Sequence, residues 1–138
     1  MLTQLSQLLD SNLFAQPIAA AVVHPTTDIV LQSCLDAQAR GIINPILVGR
    51  RDKIEAAAHE ANLDISGLQL IDAAHSHDAV ALSAQLVRDK KAALIIKGSV
   101  HTDELMGVLV DKSQNLRTDR RMSHVWLMQS PTYHKLLT

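Results

Sequence analysis

The feature that most constrains the fold is a set of short apolar segments without polar alternation, each neighbouring a stretch with helical periodicity. The segment PIAAAVVH at residues 17–24 is one of them, and no charged residue interrupts its apolar centre. Runs of this kind suit strands that are covered on both faces, whereas a strand with one face in water alternates apolar and polar residues. Strands of this type separated by helices predict a mainly parallel sheet in a three-layer α/β/α fold.

The order of these segments follows from the apolar periodicity and from the glycine and proline residues between them. Strands are predicted at residues 17–24, 43–49, 68–72, 92–98 and 123–129. Helices are predicted at residues 2–14, 26–40, 50–63, 75–91 and 102–111. We expect residues 1–138 to form a single α/β domain.

Composition restricts the core and the partners. Hydrophobic residues make up 47% of the chain, but it has only one phenylalanine, one tryptophan and one tyrosine, so the core is expected to be aliphatic. The formal net charge of -1 argues against bulk attraction to nucleic acid or to an anionic membrane. No apolar run approaches the ~20 residues that span a bilayer. The single cysteine, Cys34, suits a reducing compartment, and we expect a cytoplasmic protein.

Polar residues follow the fourth predicted strand in the stretch ALIIKGSVHTDEL, residues 93–105. In a parallel sheet, functional groups gather at the carboxyl ends of the strands. A glycine lets the backbone come close to a ligand, hydroxyls and an imidazole offer hydrogen bonds, and the start of a helix attracts anions. The candidate binding residues of this stretch are Lys97, Gly98, Ser99, His101 and Thr102.

The alternative interpretation of the same stretch is an ordinary turn between a strand and a helix. Thr102 would then cap the helix, and the carboxylates of Asp103 and Glu104 would complement the helix dipole. A phosphate bound there would need positive charge from elsewhere in the chain.

That charge is available in the segment NLRTDRRMSH, residues 115–124. Guanidinium groups match phosphate oxygens in pairs, and hydroxyl groups lie beside them in this segment. Its candidate phosphate-binding residues are Arg117, Thr118, Arg120, Arg121 and Ser123. The alternative is a solvated loop whose arginines pair with Asp119 and neighbouring acids.

Signatures of metal and cofactor sites are weak. His75 and His77 form an H-x-H pair without a nearby cysteine or acidic cluster, which is not typical of a metal site. The sequence contains no P-loop, no GxSxG and no GxGxxG motif. We predict neither a bound metal nor a bound cofactor.

Three segments resemble the phosphate acetyl/butyryltransferase family: IAAAVVHPTTDIVLQSCLDAQARGIINPILVGRRDKI, IIKGSVHTDELM and LRTDRRMSHVWLM. The chain is most similar to the transferase part of proteins described as bifunctional enoyl-CoA hydratase/phosphate acetyltransferase, from about Ile18 to its end. The resemblance implies a transferase of the EC 2.3.1 type that moves an acyl group reversibly between coenzyme A and inorganic phosphate and so forms acyl phosphate. Acyl-CoA and inorganic phosphate would be its substrates, and a homo-oligomer is expected.

The resemblance also implies a longer, two-domain protein similar in fold to the isocitrate and isopropylmalate dehydrogenases, with the active site between the domains. This chain would be its N-terminal part and inactive alone, because the family's catalytic base would lie beyond Thr138. No catalytic residue is therefore assigned here. Many relatives carry an arginine where this chain has Gly107, which bears on how phosphate is held. This chain's share of the site would be Lys97, Ser99, His101, Thr102, Arg117, Arg121 and Ser123.

Two other functions remain open on the sequence. One is an isocitrate/isopropylmalate-type dehydrogenase, although the aspartates that such an enzyme needs for its metal are not found. The other is a non-catalytic domain that senses coenzyme A or acyl phosphate.

A shared site makes a demand on topology. In a strictly parallel sheet, the end of one strand and the start of the next lie about 20 Å apart for a six-residue strand. The connection at residues 112–122 is long for its type and could carry the chain back. We therefore predict that the strand at 123–129 runs antiparallel to residues 93–97. This would place Arg121 and Ser123 beside Ser99 and His101.

Overall fold

The computed structural model of the protein describes residues 4–10, 16–130 and 132, with residues 8–10 described by their backbone. The chain divides into two compact units. The larger is Gln16–Arg117, and the smaller combines Met1–Ala15 with Thr118–Thr138. The single domain expected for residues 1–138 stays a prediction.

Helices and strands alternate in the larger unit in the predicted order. Helix α1 (Leu5–Asp10) belongs to the smaller unit. The strands are β1 (Ile18–Val23), β2 (Ile43–Gly49), β3 (Gln69–Asp72) and β4 (Leu94–Lys97). The further helices are α2 (Asp28–Ala39), α3 (Arg51–Glu60), α4 (Ser76–Arg88) and α5 (Thr102–Leu109), followed by a 3-10 turn at Lys112–Gln114. Each strand and α-helix lies inside the segment predicted for it, and residues 2–3 and 11–14 of the first predicted helix lie outside the described residues.

Among the described residues, the sheet has four strands in the order β3-β2-β1-β4, and every pairing is parallel. The chain steps outward from β1 to β3 and then crosses back to place β4 on the other side of β1. In the shared register, Val23 of β1 lies opposite Val48 of β2 and Lys97 of β4. The predicted mainly parallel sheet is confirmed, and the strand order reverses between β1 and β4.

The antiparallel strand predicted at residues 123–129 is wrong. The sheet is entirely parallel, residues 121–127 form neither helix nor strand, and Met128 makes only an isolated bridge. The apolar side chains that suggested a strand are exposed, with 75% of Val125 and 63% of Trp126 accessible. Without a buried face, an apolar run has nothing to fix its pairing register.

The core occupies both faces of the sheet, as a three-layer fold requires. Ala21 and Val23 of β1 pack on the side of α4 and α5, whereas Val22 packs on the side of α2 and α3. Each fully buried valine, leucine or isoleucine contributes about 1.5–3 kcal/mol. The first cluster also contains Ile46, Val48, Val80, Leu86, Leu105 and Val108, and the second also contains Leu31, Cys34, Leu47, Ile54 and Ala58.

Candidate functional site

The carboxyl ends of β1 and β4 are joined by backbone hydrogen bonds that continue beyond the strands. The amide of Gly98 donates to the carbonyl oxygen of Val23, and the amide of Ser99 donates to that of His24, each at 2.9 Å. The amide of Thr26 donates to the same His24 oxygen at 2.9 Å. His24 and Ser99 therefore lie side by side where the strand order reverses, which is where open α/β sheets bind ligands.

Gly98 is required by this close packing. A Cβ at this position would lie 2.8 Å from the carbonyl oxygen of His24 and nearer still to that of Val23. Both obstacles are backbone atoms, which cannot rotate away as a side chain can. The close approach that Gly98 makes in the structure is to the end of β1, and the predicted approach to a ligand stays a prediction.

His24 adopts an unusual backbone conformation. Its φ is 49°, in the left-handed region that costs a residue with a Cβ about 1–2 kcal/mol. Among the described residues, the other non-glycine positions with positive φ are Asn62, Lys90 and Asn115, and each closes a helix or helical turn. A left-handed residue is a common way to end a helix. His24 instead follows a strand, so helix capping does not explain it.

The imidazole of His24 is buried against the end of β2. The residue is 8% exposed, and its Nδ1 is buried without a hydrogen-bond partner in the described part of the chain. A Cβ at Gly49 would lie 3.0 Å from Nδ1. Burial lowers the pKa of His24, the positive charge of Lys53 lowers it further, Glu104 opposes the shift and Arg50 adds to it. The ring is therefore neutral at pH 7.

The residues predicted from the stretch at 93–105 lie together at this edge of the sheet. Lys97, Ser99, His101 and Thr102 are exposed. The N-cap of α5 is His101, whose side chain makes no capping hydrogen bond, so the prediction that Thr102 caps the helix is wrong, while the ordinary turn itself remains an alternative. The carbonyl oxygen of His101 accepts from the amide of Leu105 at 3.0 Å.

Two further features border these residues. Glu104, in the first turn of α5, accepts a hydrogen bond at 2.7 Å from the hydroxyl of Ser76 at the start of α4. Lys97 lines an apolar pocket of about 300 Å³ between α2 and β4, together with Ile29, Cys34 and Ile96.

The predicted arginine segment is divided between the two units. Arg117 is the last residue of the larger unit, and the other four candidates belong to the smaller one; all five are exposed. The amide of Arg120 donates to the hydroxyl of Thr118 at 3.2 Å. The structure thus groups the strand-end residues in one unit and places Thr118, Arg120, Arg121 and Ser123 in the other. The prediction that Arg121 lies beside Ser99 depended on an antiparallel strand at residues 123–129. Because those residues do not form that strand, the topological reason for the prediction is lost.

The described residues contain neither a candidate metal site nor a candidate membrane span. Within residues 4–10, 16–130 and 132, no group of three or more His, Cys, Asp and Glu side chains is arranged to hold a metal ion. Over the same residues, no helix is both long and apolar enough to cross a membrane.

Sequence reasoning missed His24 and Gly49. A signal was present, because His24 and Pro25 end the first apolar run as Lys97 and Gly98 end the fourth. Strand order was the missing information. Only the sheet shows that the ends of β1 and β4 are neighbours.

Curated proteins are similar in sequence to most of this chain. The phosphate acetyltransferase of Rickettsia felis is 41% identical to this chain over 120 residues, which cover 87% of this chain and 34% of that protein. The phosphate butyryltransferase of Clostridium acetobutylicum is 30% identical over 117 residues, covering 85% of this chain and 39% of that protein. No protein-family model matches the chain.

A solved structure shares the fold. The EutD phosphotransacetylase from Staphylococcus aureus superposes with a TM-score of 0.69 at 18% identity, over 94% of this chain and 48% of that one. The likeness to isocitrate and isopropylmalate dehydrogenases, implied by the family resemblance, stays a prediction. This chain spans about a third of the length of the curated relatives that it matches, and it is a partial-length homologue of the phosphate acetyltransferases and phosphate butyryltransferases.

Proposed function

We propose that this chain supplies part of a phosphate acyltransferase, which moves an acyl group reversibly between coenzyme A and inorganic phosphate. The observation that carries the proposal is the 41% identity to a phosphate acetyltransferase over 87% of this chain. The parallel sheet supports it, because its strand order reverses where the strand-end candidates Lys97, Gly98 and Ser99 lie.

The reaction makes definite demands on the site. In the direction of acyl-CoA synthesis, the thiolate of coenzyme A attacks the carbonyl carbon of acyl phosphate, a tetrahedral oxyanion forms, and inorganic phosphate leaves. Binding must align sulfur, carbon and leaving oxygen, and hydrogen-bond donors must stabilise the charge that develops. The exposed hydroxyls of Ser99 and Thr102 and the ammonium group of Lys97 supply donors of this kind at one edge of the sheet.

The remaining candidate residues complete the proposed site. Gly98 fixes the turn that holds Ser99 beside β1, and His101 adds an exposed imidazole at the start of α5. The arginine segment would neutralise the phosphate in the assembled protein through Arg117, Thr118, Arg120, Arg121 and Ser123. The apolar pocket beside Lys97 offers a place for the non-polar part of acyl-CoA.

Other properties follow from the same proposal. The protein would work without a bound cofactor, with acyl-CoA and inorganic phosphate as its partners. It would act in the cytoplasm and as a homo-oligomer.

An assay of the complete gene product tests the proposal. We expect acetyl-CoA to release free thiol only when inorganic phosphate is present, with acetyl phosphate recovered in equal amount. Reduction of NAD or NADP by a hydroxy acid, without phosphate-dependent thiol release, would support a dehydrogenase instead. Binding of coenzyme A without turnover would indicate a sensing domain.

A further inference from the structure

Three features occur together in His24, and packing alone does not explain their combination. Its backbone is left-handed after a strand, its ring is buried, and its Nδ1 has no hydrogen-bond partner in the described chain. A left-handed backbone at a residue with a Cβ persists when the surroundings hold it, and such residues cluster at binding and catalytic sites.

The surroundings do hold His24. Its amide donates to the carbonyl oxygen of Val48 at 2.7 Å, and its own carbonyl oxygen accepts from Ser99 and Thr26. Gly49 leaves room for the ring. The residue is thus fixed between the carboxyl ends of three adjacent strands: its own strand β1, then β2 and β4.

The charges near the ring determine which nitrogen carries the proton. Nδ1 faces Gly49, two residues before α3, so it lies near the positive end of that helix dipole. Lys53 adds positive charge in the first turn of α3, Arg50 at the start of that helix is paired with Asp52, and Glu104 of α5 adds negative charge. Positive surroundings favour a lone pair on Nδ1, which leaves the proton on Nε2.

We propose that His24 binds a phosphoryl group of the substrate, donating a hydrogen bond from Nε2–H to one of its oxygens. Nδ1 is enclosed, so Nε2 is the ring nitrogen that can meet a ligand. A neutral donor is suitable here, because Lys53 and the start of α3 offer a phosphoryl group positive charge, whereas Arg50 is paired with Asp52 and Glu104 is negative. The inference rests on the proposed function, and the phosphoryl group belongs either to inorganic phosphate or to coenzyme A.

Imidazole nitrogen NMR tests the tautomer and the contact. In uniformly 15N-labelled protein, the signal that disappears in His24→Asn identifies His24. We expect the neutral Nε2–H tautomer at pH 7, and a change in the Nε2 shift when inorganic phosphate or coenzyme A is added separately. Whichever ligand causes the change identifies the source of the phosphoryl group. An Nδ1–H tautomer, or an unchanged ring when the Ser99 amide responds to both ligands, would overturn the proposal.

Affinity provides a second test, with variants chosen to keep the backbone conformation or the donor. Asparagine tolerates positive φ but does not reach the Nε2 position, whereas glutamine places an amide donor near it. We expect His24→Asn to weaken phosphate or coenzyme A binding about tenfold or more, as for a lost hydrogen bond to a charged group. His24→Gln should restore most of that loss, and His59→Asn, on the exposed face of α3, should leave the affinity unchanged.

The outcomes separate this inference from the proposed function. Equal affinities for the parent and His24→Asn would remove His24 from the site and leave the proposed function standing. Failure of the parent to bind either ligand would remove the proposed site from this chain, and the inference with it.

Discussion

Two regions of the molecule carry the residues expected to hold phosphate, and they are built in different ways. At the carboxyl ends of β1 and β4, backbone hydrogen bonds fix the positions of His24, Gly98 and Ser99. In the segment at residues 117–124, the side chains are exposed and the backbone is neither helix nor strand. Residues at strand ends are positioned when their own sheet folds. The arginines at residues 117–121 lie outside the described helices and strands, so no regular element positions them.

The two regions also differ in what a substitution should do. A residue packed between strand ends affects stability and binding together. An exposed arginine should affect binding with little effect on stability.

Gly98→Ala should be the most damaging single change. The added Cβ would meet backbone oxygens of Val23 and His24, and overpacking of this kind costs about 3 kcal/mol. Urea unfolding measures the loss. Gly107→Ala is the matched control, since a Cβ there meets nothing within 4 Å and alanine strengthens a helix interior by about 0.8–1 kcal/mol. Equal stability of the two variants would show that the strand ends are not tightly packed.

Removal of two arginines should weaken phosphate binding and leave the stability of the free protein nearly unchanged. In Arg117→Ala/Arg121→Ala, the free energy of unfolding without phosphate should stay within about 0.5 kcal/mol of the parent, because both side chains are exposed. Phosphate at 100 times its dissociation constant should stabilise the parent by about 2.7 kcal/mol, seen as a higher melting temperature, and the variant should lose this gain.

A matched charge change distinguishes specific binding from a general effect of net charge. Arg40→Ala/Lys91→Ala removes two exposed positive charges elsewhere and should keep the phosphate response. If the arginine variant responds to phosphate as the parent does, the segment at 117–124 is a solvated surface.

Gly107→Arg should have a smaller, favourable effect. The position is exposed within α5 and has open space, so arginine should raise the free energy of unfolding by about 0.5–1 kcal/mol through helix propensity. The resemblance to the transferase family places an arginine here, so the variant should also bind phosphate more tightly by calorimetry. Unchanged affinity with raised stability would show that Gly107 does not face the phosphate.

Acidification should have the smallest effect, because Glu104 opposes the changes that lower the pKa of His24. The pKa is lower in the folded state than in the unfolded state, so the unfolded state binds more protons as the pH falls through the usual histidine range near 6.5. The free energy of unfolding therefore falls on acidification. Urea unfolding at about pH 7.5 and about pH 5.5 should show a smaller decrease in His24→Asn than in the parent. A decrease as large as the parent's would mean that the His24 ring is not shielded from water.

The sequence predicted the sheet well, because its signal is local. Apolar runs such as residues 18–23 and 43–49 lie in strands buried on both faces, and periodic segments lie in helices. The same rule failed at residues 123–129, where the apolar side chains are exposed and the backbone forms no strand. Apolar content predicts a strand only when a partner and a covering layer are available.

The candidate site was less predictable for a different reason. Lys97, Gly98 and Ser99 could be found because a polar turn ends an apolar strand. His24 could not be identified as a site residue without β4, which lies about 70 residues later in the chain. The register that places Val23 beside Lys97 brings the end of β4 next to His24. Such a pairing depends on strand order, which composition and periodicity do not contain.

Backbone amide NMR with inorganic phosphate tests the central claim, that the carboxyl ends of β1 and β4 form the phosphate site, most directly. The result expected is that the largest shifts fall on His24, Gly98, Ser99 and Thr102, and that they saturate together. The chain offers a rival in the cavity of about 600 Å³ after β2 and β3, which Arg50 and His75 line. Shifts centred on that cavity, or spread without saturation over the surface, would contradict the account.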